Sequence, residues 1–288
     1  MGGRVLLIGG AGLVGRHVRE ALGERDVVTT FHSDPVEGGV PLDITDAAAV
    51  RACIARTAPD TIVFAAAQPY VEACESDPNG TWRVNVEAPA VARLAAPDAN
   101  LVVFSSEYVF DGARGPYREG DAVAPINVYG MQKVALEELA ASAPRHLVLR
   151  ISGVFGKETR RRNFVWQLVD RLRAGTTFDV PSDQVITPTD AVSLATAMVE
   201  LVDGGASGTF HAAGPEVMGR VAFARLVARA FGLDEGLIVP RPTAELGLSA
   251  KRPASAGLSD EKLRAAIGHG LRAPAAVLAD LARDDRPR

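Results

Sequence analysis

Residues 4–25, RVLLIGGAGLVGRHVREALGER, decide the fold. Four consecutive apolar residues, Val5 to Ile8, make a run short enough for a strand buried on both faces. Apolar residues then recur at Leu13, Val14, Val18, Ala21 and Leu22, which is helical spacing. The period changes at Gly9, Gly10, Gly12 and Gly15, which satisfy GxGxxG from Gly10 and GxxGxxG from Gly9. Such glycines alone would equally serve a tight turn. Placed between a first strand and a first helix, they leave bare backbone N–H groups and the positive end of a helix dipole to hold a pyrophosphate, as a dinucleotide requires.

The same alternation continues outward from that stretch. DVVTTF, DTIVFAAA, NLVVFSS and HLVLRIS read as strands. TDAAAVRACIART, with Thr45 or Asp46 as N-cap, and PNGTWRVNVEAPAVARLA read as helices, as does the segment beginning at Tyr129. Near-continuous apolar strands separated by helices predict an α/β fold, a doubly wound parallel sheet of the Rossmann type. From about residue 152 the pattern loosens: RRRNFVWQLVDRLRAG reads as a helix, SDQVITPTDAVSLATAMVELV as a loop and helix, and GTFHAAG as a strand. The expected organisation is a dinucleotide-binding core over residues 1–151. Residues 152–288 would supply the remainder of the sheet, interleaved with a small C-terminal substrate lobe.

A formal net charge of -4 offers no broad basic surface, so nucleic acid is not an expected partner. Cys53 and Cys74 lie outside any CxxC pair and the five histidines are scattered, so neither a disulfide framework nor a metal site is expected. No run of 18 apolar residues occurs and the chain goes almost directly into Val5-Leu-Leu-Ile, so the expectation is a soluble cytoplasmic protein without a membrane partner.

INVYGMQKVALEE, residues 126–138, carries a second pattern: Tyr129 and Lys133 stand four residues apart and project from one helical face. A surface tyrosine beside a solvated lysine is the ordinary explanation. The chemical one is that a hydride delivered to a ketone builds charge on oxygen, which a proton donor must neutralise. Tyrosine, with an ordinary pKa of about 10, needs a nearby cation for that work. Ser106, at the carboxyl end of the NLVVFSS strand, lies where open parallel sheets bind ligands.

With both motifs in place, the chain resembles the extended short-chain dehydrogenase/reductases, and within them the dTDP-4-dehydrorhamnose reductase family, which also contains the regulatory beta subunit of methionine adenosyltransferase. The matching segments include PDTIVFAAAQPYVEACESDP, VNVEAP, FSSEYVFDG, GPYREGDAVAPINVYGMQK, SDQVITPTD, GTFHAAG and KRPASAGL. The resemblance implies that Tyr129 is the general acid, that Lys133 binds the nicotinamide ribose and lowers the tyrosine pKa, and that Ser106 bonds the substrate carbonyl. It implies cofactor contacts at Gly9, Gly12, Leu13, Val14, Gly15, Arg16, His32, Ser33, Asp43, Ile44, Ala65, Ala66 and Ala67, besides Tyr129 and Lys133. Asp43 would lie near the adenine, although an Asp before Thr-Asp is equally a turn residue. Substrate contacts are implied at Ser106, Glu107, Val109, Asn163, Phe164, Gln184 and Arg252.

The substrate side departs from the family pattern. Gly153 stands where a tryptophan is expected, Ile186 replaces a glycine and Ala256 replaces a serine. Arg160, Arg161 and Arg162 can grip a diphosphate, or form a solvated loop; Lys251-Arg252 offers a second basic site. Asn85 is expected to tether a strand or loop by hydrogen bonds rather than do chemistry, Trp82 and Trp166 to pack on helices, and both cysteines to be inert. The reading is an NADPH-dependent reductase of a nucleotide-activated keto-deoxysugar, with a homodimer as the default assembly. Its rivals are an epimerase or dehydratase on the same scaffold, and a nucleotide-binding regulatory subunit of a synthetase.

The second strand ends TTFHSDP, so Thr30, Phe31, His32 and Ser33 occupy the place where an NAD site carries an acidic residue, and Asp34 comes one step late. A 2'-phosphate is tolerated there, and Arg16 can pair with it. NADP(H) is therefore the expected cofactor, with NAD(H) as the lesser. A higher kcat/KM with NADPH than with NADH is the expected result, and a clear NADH preference overturns it.

Overall fold

The apolar runs become seven parallel strands of one sheet in the computed structural model, which describes residues 3–285. The first six strands are β1 (Val5–Ile8), β2 (Val27–Phe31), β3 (Val40–Pro41), β4 (Thr61–Phe64), β5 (Asn100–Ser106) and β6 (His146–Ile151). Next come β7 (Val154–Phe155), β8 (Phe178–Pro181), β9 (Val185–Ile186) and β10 (Thr189–Asp190), then β11 (Gly208–His211), β12 (Met218–Gly219) and β13 (Ile238–Arg241). Across the central sheet the order is β11-β6-β5-β4-β1-β2-β3, and every neighbouring pair is parallel. The chain runs from β1 out to β3 and then crosses back to β4 on the other side of β1. That reversal leaves a crevice beyond the carboxyl ends of β1 and β4, where doubly wound sheets bind their ligands.

Helices α1 (Leu13–Leu22), α2 (Ala47–Thr57), α3 (Val71–Ser76), α4 (Pro78–Trp82), α5 (Ala88–Ala95) and α6 (Val128–Ala141) follow in the first half. The second half holds α7 (Phe164–Arg173), α8 (Ala191–Asp203), α9 (Arg220–Phe231), α10 (Glu261–Ile267) and α11 (Pro274–Asp284). Because alternate strand residues point to opposite faces, Val5 and Leu7 pack with α1 and α8, whereas Leu6 and Ile8 pack with α2, α5 and α6. A third core, built from Trp166, Leu168, Phe223, Val227 and Leu278, holds α7, α9 and α11 together beside the sheet. No helix among the described residues is long and apolar enough to cross a membrane.

Two segments differ from their sequence expectation. PNGTWRVNVEAPAVARLA is helical throughout, but Arg83–Glu87 between α4 and α5 is a π turn. That turn aims the buried Asn85 side chain at the loop after β4: Oδ1 accepts from Gln68 N at 2.8 Å and Nδ2 donates to Gln132 Oε1 at 2.7 Å. In RRRNFVWQLVDRLRAG the three arginines are not helical. Arg161 has a positive φ of 50°, and the Glu158 carboxylate accepts from the backbone N–H groups of Arg162 and Asn163, so α7 starts only at Phe164.

Helix α6 is fixed at both ends. Asn127 caps it by accepting from Gly130 N at 2.8 Å, and its own Nδ2 donates to Lys251 O across the chain at 2.8 Å. Further along, Glu137 receives two hydrogen bonds from Arg150 of β6, at 2.9 and 2.7 Å, and another from Ser105 of β5. Both charged side chains are nearly buried, 11% and 6% exposed. Removing one partner strands the other charge, so Glu137→Leu is expected to lower stability in urea unfolding by about 3–5 kcal/mol. Glu137→Leu combined with Arg150→Met is expected to recover most of that loss.

Candidate functional site

The site lies along the carboxyl ends of β1, β4 and β5. Gly9 closes the turn after β1 with a φ of 94°, and a Cβ there would fall 2.5 Å from Ala66 N. At Gly15 a Cβ would fall 2.1 Å from Gly9 O, so helix α1 sits on its own turn only without a side chain. Gly12 is different. Nothing comes nearer than 3.6 Å to a Cβ built there, and it N-caps α1 without any side chain accepting from the first-turn N–H groups of Leu13, Val14 and Gly15. The protein's own packing does not require glycine at this position; the approach of a phosphate does. The residues therefore fit a dinucleotide cradle.

Around this cradle, Ala65 and Ala66 are held by Ile8 O through their N–H groups, at 2.9 and 3.0 Å, and Ala67 is exposed. Arg16 donates to Thr159 Oγ1 at 2.6 Å. His32 and Ser33 are exposed beyond β2, while Asp34 forms an ion pair with Arg160. Asp43 accepts from Thr45 N and Thr45 Oγ1 at 2.9 and 2.7 Å, a local turn that holds its carboxyl below the usual carboxylate range and orders the Ile44 backbone beside it.

Ser106, Tyr129 and Lys133 converge where α6 crosses the end of β5. Lys133 is 3% exposed, donates to Phe104 O at 2.9 Å and lies 5.5 Å from the Tyr129 ring centroid. Tyr108 meets Tyr129 edge to face at 5.7 Å. Burial, before any other cause, pushes the Lys133 ammonium down to about 8. Burial also pushes the Tyr129 phenol above its ordinary range; Glu107 adds to that rise and a hydrogen bond with Ser106 opposes it. Burial thus disfavours the charged form of both side chains in the free chain.

Glu107 is buried beside them. Ser106 Oγ donates to its Oε2 at 2.7 Å, Ser152 also bonds it, and burial raises its carboxyl above the usual range. Val109 does not fit the expected substrate role: its side chain is 0% exposed, packed with Phe110, Tyr117 and Leu258. An apolar residue fully enclosed in the core cannot touch a ligand. Gln184 is buried and donates to Thr243 Oγ1 at 2.9 Å. Thr243 and Arg252 line one cavity of about 350 Å³ with Ile126, Leu248 and Lys251. Arg252 is engaged by Glu72 at 2.8 Å.

The expected basic run divides. Arg160 pairs with Asp34, and Arg161 pairs with Asp170 and Asp285 while lying over the Trp166 ring at 4.0 Å. Those two arginines hold the loop rather than an open anion site. Three further residues near the site escaped the sequence reading: Arg150, Ser152 and Arg220. A signal existed for Arg150, since an arginine inside a buried strand must have a partner. Local spacing carries no such signal for Ser152 or Arg220.

A Rossmann sheet with an open glycine cradle and a converging serine, tyrosine and lysine defines a short-chain dehydrogenase/reductase-type protein. More narrowly, the chain belongs to the family described as RmlD substrate binding domain, whose model matches residues 3–285. A dTDP-4-keto-6-deoxy-D-glucose reductase of Streptomyces niveus is 34% identical, covering 87% of this chain and 86% of that one. A dTDP-4-dehydrorhamnose reductase of Mycolicibacterium smegmatis is 33% identical over 90% and 82%. The beta subunit of methionine adenosyltransferase 2 from Danio rerio is 30% identical over 90% and 84%. Among solved structures, a hypothetical dTDP-4-dehydrorhamnose reductase of Sulfolobus tokodaii superposes with a TM-score of 0.83 at 32% identity, over 90% of this chain and 93% of that one.

The two glycines separate binding from folding. Gly12→Ala is expected to change stability by less than about 0.5 kcal/mol while weakening NADPH at least about tenfold by fluorescence titration, because a methyl enters the phosphate's space. Gly15→Ala is expected to lower the melting temperature as well.

Proposed function

We propose that this protein is an NADPH-dependent reductase of a nucleotide-activated keto-deoxysugar. The observation that carries the reading is the meeting of Ser106, Tyr129 and buried Lys133 beside the open Gly12 cradle. NADP(H) would be held by Gly9, Gly12, Leu13, Val14, Gly15 and Arg16 at its diphosphate end, by His32, Ser33, Asp43 and Ile44 around the adenosine, by Ala65, Ala66 and Ala67 along the loop after β4, and by Tyr129 and Lys133 at the ribose. When bound, NADPH supplies a hydride to a carbonyl carbon. Residues 1–151 serve as the cofactor core and 152–288 complete the sheet and form the substrate lobe.

Tyr129 delivers the proton to the carbonyl oxygen as negative charge grows there. Its phenol is protonated in the free chain, so the acid is present before substrate arrives. Lys133 is the cation that stabilises the resulting tyrosinate and holds the ribose hydroxyls. Ser106 orients the carbonyl oxygen toward Tyr129 by turning its single hydroxyl proton from Glu107 Oε2 to the substrate. Asn163, Phe164, Gln184 and Arg252 line the remainder of the substrate's path.

The reductase reading stands ahead of the regulatory one because every group that proton delivery needs is present and enclosed, although beta-subunit relatives match over a similar length. An epimerase would leave its nicotinamide unconsumed over a cycle. A homodimer in the cytoplasm completes the reading, with sizing by light scattering as its check.

Tyr129→Phe is expected to lower kcat by about 10²–10⁴-fold while the NADPH Kd stays within about twofold. Consumption of NADPH on adding a panel of nucleotide-linked 4-keto sugars tests the reaction; silence across the panel despite cofactor binding sinks it. Lys133 is charged below about pH 8 and loses its proton above it. The kcat/KM profile is therefore expected to be level at neutral pH and to fall on an alkaline limb near 8.

A further inference from the structure

The basic groups expected to hold the anionic part of a substrate are largely committed elsewhere: Arg160 to Asp34, Arg161 to Asp170 and Asp285, and Arg252 to Glu72. Arg220, the first residue of α9, has no ion pair or side-chain hydrogen bond among the described residues, and its Nε is buried without an acceptor. Buried N–H groups are rarely left that way.

Its position is fixed from both sides. The Arg220 backbone N–H donates to Gln184 O at 2.9 Å, continuing the ladder that pairs Gly219 with Val185. Its guanidinium lies 5.4 Å from the Phe164 ring centroid, and that ring is itself held by Phe223, stacked at 5.8 Å, and Phe178, edge-on at 5.8 Å. The charge is felt at Glu107 and Tyr108, the two residues that follow Ser106. Asn163, next to Phe164, presents a second unpaired buried atom, Oδ1. Its Nδ2 is already bound to the acceptors Gly156 O and Glu158 Oε2, which fixes the amide's orientation. A donor near the Phe164 ring and an acceptor on the residue preceding Phe164 are thus both unpaired.

Resting on the reading above, we propose that Arg220 grips the diphosphate of the sugar nucleotide, with Asn163 Oδ1 accepting from a sugar hydroxyl beside it. A guanidinium placed beside an aromatic ring presents its N–H groups as a fork that matches phosphate oxygens. The substrate's phosphate would also supply the acceptor that Nε lacks.

The test is calorimetric titration of the whole chain with dTDP, UDP, dTMP and NADPH, using wild type, Arg220→Gln and Arg220→Lys. For whichever diphosphate binds wild type more tightly, Arg220→Gln is expected to weaken Kd by about 30-fold, with NADPH unchanged and dTMP affected far less. Arg220→Lys keeps a cation over Phe164 and the fold with it, and decides the matter if the glutamine variant does not fold; it is expected to lose about tenfold. Diphosphate binding within threefold of wild type in the folded glutamine variant, or unchanged binding in the lysine variant, would assign Arg220 to supporting Phe164 and overturn the inference alone. A wild-type chain that binds NADPH but neither dTDP nor UDP overturns the sugar-nucleotide reading itself.

Discussion

One stripe of helix α6 fixes the end of the sheet where the proposed catalytic groups meet. Tyr129, Lys133 and Glu137 recur at steps of four and therefore share a face. They meet the last three residues of β5 in turn: Glu137 bonds Ser105, Lys133 bonds the Phe104 carbonyl, and Tyr129 is bonded by Ser106. The Glu137 pairing with Arg150 extends the same grip to β6. Two buried charges would be expensive without such geometry, and their value here lies in register as much as in energy. A helix sliding by one residue would turn the stripe by about 100° and separate all three contacts.

How legible this was in the sequence depended on the distance over which each feature acts. The glycine turn, the apolar strands and the Tyr129–Lys133 spacing are local, and each was readable because periodicity reports on neighbours. Glu137 looked like an ordinary helix former because its partner, Arg150, sits 13 residues away on a largely apolar strand. Arg161 looked available for the same reason: its partner Asp285 lies 124 residues on. Arg220 carried no local signal, since either arginine of GRVAFARLV looks like surface until the fold sets Arg220 over Phe164. Val109 was read from its place in a motif, and a motif specifies order along the chain but not which way a side chain turns.

The departures from the family pattern, at Gly153, Ile186 and Ala256, all fall in the second half of the chain. Gly153 has a φ of 52°, and a Cβ there would stand 3.1 Å from the Ile186 side chain, so two of the unusual residues are neighbours. Ile186 occupies space next to the glycine, which gives a packing reason for the pair to depart together. The cradle and the catalytic stripe, by contrast, rest on backbone constraints and buried polar contacts that admit few substitutes. Specificity can therefore vary on one side of the crevice while the chemistry stays fixed on the other.

Desolvation is the common cause of the site's electrostatics. It raises the Tyr129 phenol, raises the Glu107 carboxyl and lowers the Lys133 ammonium, in each case by disfavouring the charged form. Charge is disfavoured on each of these groups, although Lys133 keeps its proton below about pH 8. A phosphate or a developing alkoxide nearby favours the protonated lysine further and extends it to higher pH. The protonated lysine then makes it easier for Tyr129 to give up its proton. In the proposed reaction that ammonium would couple binding to proton delivery, and the carbonyl of Phe104 holds it in place.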